Sequence, residues 1–259
     1  MMSIETWLAS NKRRITLLAF WALFLIRVIA GYISATQRED IAPDYQYFYF
    51  TASLIIIAIF VLANKDDLSK FNIDKYVVYT LILSSVVLFL SFGFSFFGII
   101  AIISALLVRK VLYIPKTEAY KTSIFLVILS FTILGVAPEI LLKLFLPESL
   151  RYPNYYLDFS AGEIIVFVSL RLWDVMFEEM LFRSILWGIM LERNIDIKKI
   201  VVTQAFLFWL VHLDGIITPS YAIPILIFGI WTGFLVLRSK SLIPSIATHV
   251  IHNLTSRLV

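Results

Sequence analysis

Charge inside an apolar segment restricts this chain more than any other feature. From about Glu163 to Leu191 the sequence is hydrophobic, yet Asp174 to Arg183 reads D-V-M-F-E-E-M-L-F-R. On insertion scales each charge at the centre of a membrane helix costs about 2.5–3.5 kcal/mol. Such groups face a bundle interior or water, and they pair with one another. At about 100° per residue, Glu179 and Arg183 fall one turn apart on one helix face and form a pair. Glu178 is turned roughly 140° from Arg183, so its own helix offers it no cation. A carboxylate without a cation in an apolar site takes up a proton readily, as a general base must near neutral pH. The competing reading is a structural ionic cluster that locks helices together.

The rest of the chain sets the class. Of 259 residues, 60% are hydrophobic and 15% charged, the composition of a polytopic membrane protein. We expect an all-α transmembrane helix bundle of about eight to nine spans, with no sizeable soluble domain. Its net charge of +4 gives no sign of nucleic acid as a partner. With no cysteine, disulfides, thiolate metal sites and cysteine nucleophiles are excluded. Lys12, Arg13 and Arg14 precede an apolar run, Ile15 to Ile26, which is similar to a signal peptide. Arg27 interrupts that run and no small-x-small cleavage site follows, so we read an uncleaved first span.

Spans are expected over Ile15–Ile33, Tyr45–Leu62, Thr122–Leu146, Glu163–Leu191, Lys199–Leu213, Tyr221–Leu237 and Leu242–Leu258. Tyr45, Tyr47, Phe48 and Tyr49 read as an aromatic belt at a membrane interface. Pro138 is expected to kink its span, and Tyr152, Tyr155 and Tyr156 form a second interfacial group. The apolar run Tyr76–Val108 is too long for one span of about 20 residues and short for two. Reading it as a hairpin through Ser91–Gly98 puts the basic loops on one side. These include Lys12 to Arg14, Lys65 to Lys75, Arg109 to Lys121, Arg193 to Lys199, and Arg238 with Lys240. Only Arg38, Arg151 and Arg257 then fall opposite. This predicts a multi-pass cell-membrane protein with a cytoplasmic N-terminus. Gly229 and Gly233, four apart, read as a packing face for another helix.

The three histidines all lie near the C-terminus. His212 ends an apolar helix, one turn after Phe208. His249 and Asn253 share one face of a later helix, and His252 is three residues from His249. In a membrane such groups must face each other or water. Ser184 and Ser245 are nearby serines, and neither falls in a recognisable nucleophile motif.

Taken in order, Glu178-Glu179-x-x-x-Arg183, Phe208-x-x-x-His212 and His249-x-x-x-Asn253 resemble the motifs of the CPBP family, also called Abi. That family includes type II CAAX prenyl endopeptidases and bacteriocin self-immunity proteins. The resemblance covers Glu178 to Asn253, within the C-terminal third of the chain. It implies a protease-like core in 161–259, whereas residues 1–160 are read as N-terminal membrane spans and carry no further resemblance. By resemblance, Glu178 activates water with help from His212, His249 and Asn253 stabilise the oxyanion, and Glu179, Arg183 and Phe208 support. It implies a metal-independent intramembrane endopeptidase with no cofactor, acting on a membrane-associated protein or peptide in the lipid bilayer. Asparagine and histidine on one face also suit hydrogen-bond donation to a developing charge.

Three alternatives stand beside this reading. Glu178, His212 and His249 would make a His2Glu zinc site, although H-E-x-x-H spacing is absent. A non-catalytic interaction or immunity protein would use the same helices for binding. A transporter would also bury ions, but no broken helices recur in repeated halves.

Overall fold

The computed structural model describes residues 4–35, 42–92, 96–109, 171–212 and 219–258. Among these residues there are nine helices and no strand. The first three are α1 (Ile4–Ser10), α2 (Lys12–Ala35) and α3 (Ala42–Ala63). A 3-10 turn, Leu68–Phe71, leads into α4 (Lys75–Phe92) and α5 (Phe96–Arg109). The charged helix, α6, is continuous over 171–192 and contains a π-helical segment, Met180–Leu186. Then follow α7 (Ile197–Leu210), α8 (Pro219–Ser239) and α9 (Ile243–Leu258). The expected kink at Pro138 and the aromatic group at Tyr152, Tyr155 and Tyr156 lie outside the described residues.

Around an apolar core, several helix faces expose runs of large apolar side chains while a charged cluster is buried. On α2 an apolar stripe of Leu18, Trp21, Leu25, Ile29 and Tyr32 is exposed. Val202, Phe206 and Leu210 of α7 and Ile223, Ile227 and Ile230 of α8 are exposed too. Meanwhile Glu178, Glu179, Arg183 and His249 are buried. A hydrocarbon solvent rewards this arrangement and water would not. Lys12–Ile33 and Ala222–Ser239 are long and apolar enough to cross a membrane, and shorter apolar helices cover Phe48–Ala63, Lys75–Val87 and Gly98–Leu107. The fold is that of a helical membrane protein.

Local chemistry sets the helix ends. Asp74 Oδ1 accepts from the backbone N–H of Tyr76 and Val77 and caps α4. Asp196 caps α7 by accepting from Lys198 N–H at 2.9 Å. Asn194, at φ 55°, closes the end of α6, with Ile195 N–H donating to the Met190 carbonyl at 3.1 Å. The run Tyr76–Val108 divides into α4 and α5, which pack against each other as a hairpin requires.

Two packing devices order the helices around α6. Gly229 and Gly233 bring α8 against Ala205 and Gln204 of α7, where added Cβ atoms would meet neighbours at 3.1 and 2.3 Å. Gln204 Nε2 donates to the Gly229 carbonyl across that contact at 2.9 Å. Asn72 reaches the π segment by donating from Nδ2 to the Arg183 carbonyl at 3.1 Å, and its own carbonyl accepts from Leu242 N–H. One buried asparagine thus ties the 3-10 turn, the middle of α6 and the start of α9 together.

One belt residue departs from expectation. Phe48 is exposed, but Tyr49 is buried and donates from its hydroxyl to Asp174 Oδ1 at 2.8 Å. Its ring packs on Phe177 with centroids 4.9 Å apart. A phenol this deep needs an acceptor, and Asp174 supplies one.

Candidate active site

Glu178 and Glu179 are neighbours in sequence with different surroundings. Glu179 is fully buried, with Arg183 Nη1 3.4 Å from its Oε1, so the one-turn pair read from the spacing forms. The same oxygen lies 2.9 Å from His249 Nδ1, and Ser245 Oγ donates to Oε2. Arg183 Nη2 donates to Thr232 Oγ1 at 2.6 Å, and its guanidinium carbon sits 4.1 Å from the centroid of the Phe208 ring. Phe208 therefore presents its face to a buried cation, a stabilising arrangement in a desolvated site.

Glu178 does have a cation, against the expectation from its own helix. Arg27 of α2 donates from Nε to Glu178 Oε1 at 2.7 Å. That distance is typical of a charge-assisted hydrogen bond. Spacing within α6 is blind to this cation, which arrives from a distant helix, so Glu178 is not the unpaired carboxylate expected of it. Nor is the polar cluster built from C-terminal helices alone, since α2 supplies one of its charges.

The histidines close around Glu178. His249 Nε2 lies 3.5 Å from Oε2, and His212 Nε2 lies 3.8 Å from Oε1. A carboxylate only accepts hydrogen bonds, so Glu179 makes Nδ1 of His249 the donating nitrogen. In the same way His212 Nδ1–H donates to the Phe208 carbonyl at 2.7 Å. That carbonyl belongs to the last turn of α7, where helix carbonyls lack partners within the helix. In each neutral ring Nε2 is then an acceptor directed toward Glu178. Asn253 follows one turn after His249 on α9 and is partly buried. His252 stacks on Phe228 with centroids 4.8 Å apart.

Six of the residues singled out by spacing thus converge: Glu178, Glu179, Arg183, Phe208, His212 and His249. Arg27, Thr232 and Ser245 join them without having been assigned a role. Ser245 had a usable signal, since it precedes His249 by four residues on one face of α9. Thr232 and Arg27 had none beyond being polar within apolar helices. No group of three or more His, Asp or Glu side chains among the described residues is arranged to hold a metal ion. Arg27 on Oε1 of Glu178 also works electrostatically against a second cation at that carboxylate.

Comparison with known proteins bears on the same part of the chain. Residues 159–255 match the family described as Type II CAAX prenyl endopeptidase Rce1-like. No curated protein and no solved structure matches the chain. The matched residues contain all three motifs and all of the converging side chains except Arg27. Residues 159–255 thus match the Rce1-like, CAAX-protease family, the same family that the three motifs resemble.

Proposed function

We propose that the protein is a glutamate-dependent intramembrane endopeptidase in which Glu178 and His212 activate one water molecule. The observation that carries this reading is the 3.8 Å separation of Glu178 Oε1 from His212 Nε2. With Nδ1 of His212 committed to the Phe208 carbonyl, both atoms accept hydrogen bonds. One water can donate a proton to each across such a gap. Its oxygen attacks the peptide carbonyl carbon as the proton passes to Glu178. The oxyanion takes hydrogen bonds from the Asn253 amide and from His249 Nε2–H, the latter in the imidazolium form. Collapse breaks the C–N bond, and the proton moves from Glu178 to the leaving amine.

The substrate is a protein or peptide whose scissile bond reaches the membrane, and a prenylated CAAX-type C-terminus is the first candidate from the family's description. The core over 161–259 is borne on N-terminal spans over 1–160, in a multi-pass arrangement of about eight to nine spans with a cytoplasmic N-terminus. A reporter fused near Ser95 should then read extracytoplasmic, and one near Lys116 cytoplasmic. The decisive experiment compares membrane proteomes of cells carrying the wild type and Glu178→Gln. Uncleaved membrane proteins should accumulate with the variant, and identical proteomes would count against catalysis.

A second reading has one observation in its favour. Arg27 and Arg183 balance Glu178 and Glu179 one for one, as an ionic lock would. A non-catalytic interaction or immunity protein needs no more than that. It forecasts no turnover from any variant and weaker association when the lock is broken.

A further inference from the structure

We infer that α2 sets the separation between Glu178 and His212, with Arg27 and Gly31 as positioning residues. The inference deepens the proposed function and rests on it. Arg27 holds Oε1 of Glu178, the same oxygen that faces His212. Its side chain is only 12% exposed, so the contact is made away from solvent and is weakly screened. One turn further along α2, Gly31 is buried against the end of α7. A Cβ at position 31 would lie 2.7 Å from the Val211 carbonyl oxygen, and Val211 directly precedes His212. That contact is with backbone, so it cannot be relieved by turning a side chain.

Two consecutive turns of one helix therefore grip the two halves of the site. The turn at Arg27 fixes the carboxylate through a directional, charge-assisted bond. The turn at Gly31 fixes how near the backbone carrying His212 approaches. Neither residue lies within residues 159–255, so the matched region is incomplete as a site without the N-terminal helix. Geometry of this kind matters because a misplacement of about 1 Å at reacting atoms costs on the order of 10²-fold in rate.

The test uses the full chain in lipid nanodiscs, as wild type, Arg27→Gln, Arg27→Lys and Gly31→Ala. One readout is modification of Glu178 by dicyclohexylcarbodiimide, which attacks protonated carboxyls in apolar surroundings, quantified by peptide mass. The other is turnover of a quenched fluorogenic peptide ending in a farnesylated CAAX sequence. Arg27→Gln should raise labelling of Glu178 several-fold, since an uncompensated buried carboxylate takes up a proton. It should lower kcat about 10²-fold with KM unchanged. Arg27→Lys restores the cation and should recover low labelling and most of the turnover. Gly31→Ala should lower kcat while labelling stays low, because the ion pair survives and only the spacing changes. Equal labelling in wild type and Arg27→Gln would overturn the hold on Glu178, whether or not the wild type cuts this peptide. Wild-type kcat in folded Arg27→Gln and Gly31→Ala would overturn the positioning role. If Arg27→Gln does not fold, Gly31→Ala carries the positioning test through kcat alone, and wild-type kcat in that variant overturns it. A wild type that leaves the peptide intact counts against the proposed function, and the labelling contrast still decides the ion pair.

Discussion

Two ionic clusters in this protein use the same chemistry in opposite surroundings. Near the start of α2, Lys12 and Lys70 both contact Asp67, the latter at 2.7 Å, with lysine side chains about half exposed. In the interior, Arg183 and Glu179 are fully buried, and Arg27 and Glu178 nearly so. Unit charges about 4 Å apart attract by roughly 1 kcal/mol in water and roughly 4 kcal/mol at an effective dielectric of about 20. Desolvation opposes that gain, so the buried cluster is not strongly stabilising as a whole. What distinguishes it is that no member can be removed singly without stranding another. The outer cluster gives up a member at little cost. The contrast assigns the outer cluster to surface solvation and the inner one to holding α2, α6 and α9 in fixed register.

The largest expected effect comes from Glu179→Ala. It strands Arg183, His249 and Ser245, all of which converge on that carboxylate. One-sided loss of a buried pair costs about 3–5 kcal/mol. We expect a large drop in folded protein recovered in detergent, read by size exclusion and thermal melting. Glu178→Gln should be milder for the fold. The amide oxygen still accepts from Arg27, so the loss is closer to that of one charge-assisted bond, about 1.5–3 kcal/mol. Turnover, by contrast, should vanish. Equal loss of folded protein in both variants would make the whole cluster structural.

These two glutamates also show how far the sequence could be read. The Glu179–Arg183 pair is legible because both members lie one turn apart on a single helix, where spacing alone fixes the face. The Arg27–Glu178 bond joins residues 151 apart in sequence, and no local periodicity encodes which interhelical face Arg27 meets. The π segment Met180–Leu186 is similarly hidden, since its register is tied to Asn72, a residue from a distant turn. The hairpin in Tyr76–Val108 was readable because charge segregation across loops is a property of the whole chain. Tyr49 misled the reading because aromatic composition marks an interface without saying which ring turns inward to Asp174.

Next in size is Asn253→Ala. Loss of one oxyanion donor typically costs about 10²–10³ in turnover, or roughly 2.7–4 kcal/mol of transition-state stabilisation. We expect kcat to fall by about that factor with KM nearly unchanged and the melting temperature little altered. His252→Ala, which removes a ring stacked on Phe228 and lies outside the three motifs, serves as the control and should leave turnover near wild type. A raised KM with unchanged kcat would make Asn253 a substrate-positioning residue. Metal dependence is checked in the same assay. Activity should survive a strong chelator, whereas chelator inactivation reversed by zinc would install the His2Glu alternative.

The smallest effect belongs to the outer cluster, and it has a pH signature. The Lys12 hydrogen bond, reinforced by Lys70, holds the Asp67 carboxyl below the usual carboxylate range. In the unfolded chain Asp67 titrates near 3.9. As the pH falls, the unfolded state therefore binds its proton first. The contribution of Asp67 is thus complete above about pH 5 and fades as pH drops through the lower folded value. Because the partners are half exposed, the contribution should not exceed about 1 kcal/mol and should shrink in high salt. Melting wild type and Asp67→Asn side by side should show a small gap at pH 7 that shrinks as the pH falls below the usual carboxylate range and narrows at about 1 M salt. The deficit of Glu179→Ala should respond to salt hardly at all, since ions do not enter the space between Glu179, Arg183 and His249. A salt-insensitive Asp67→Asn deficit as large as that of Glu179→Ala would mean that burial is not what separates the two clusters.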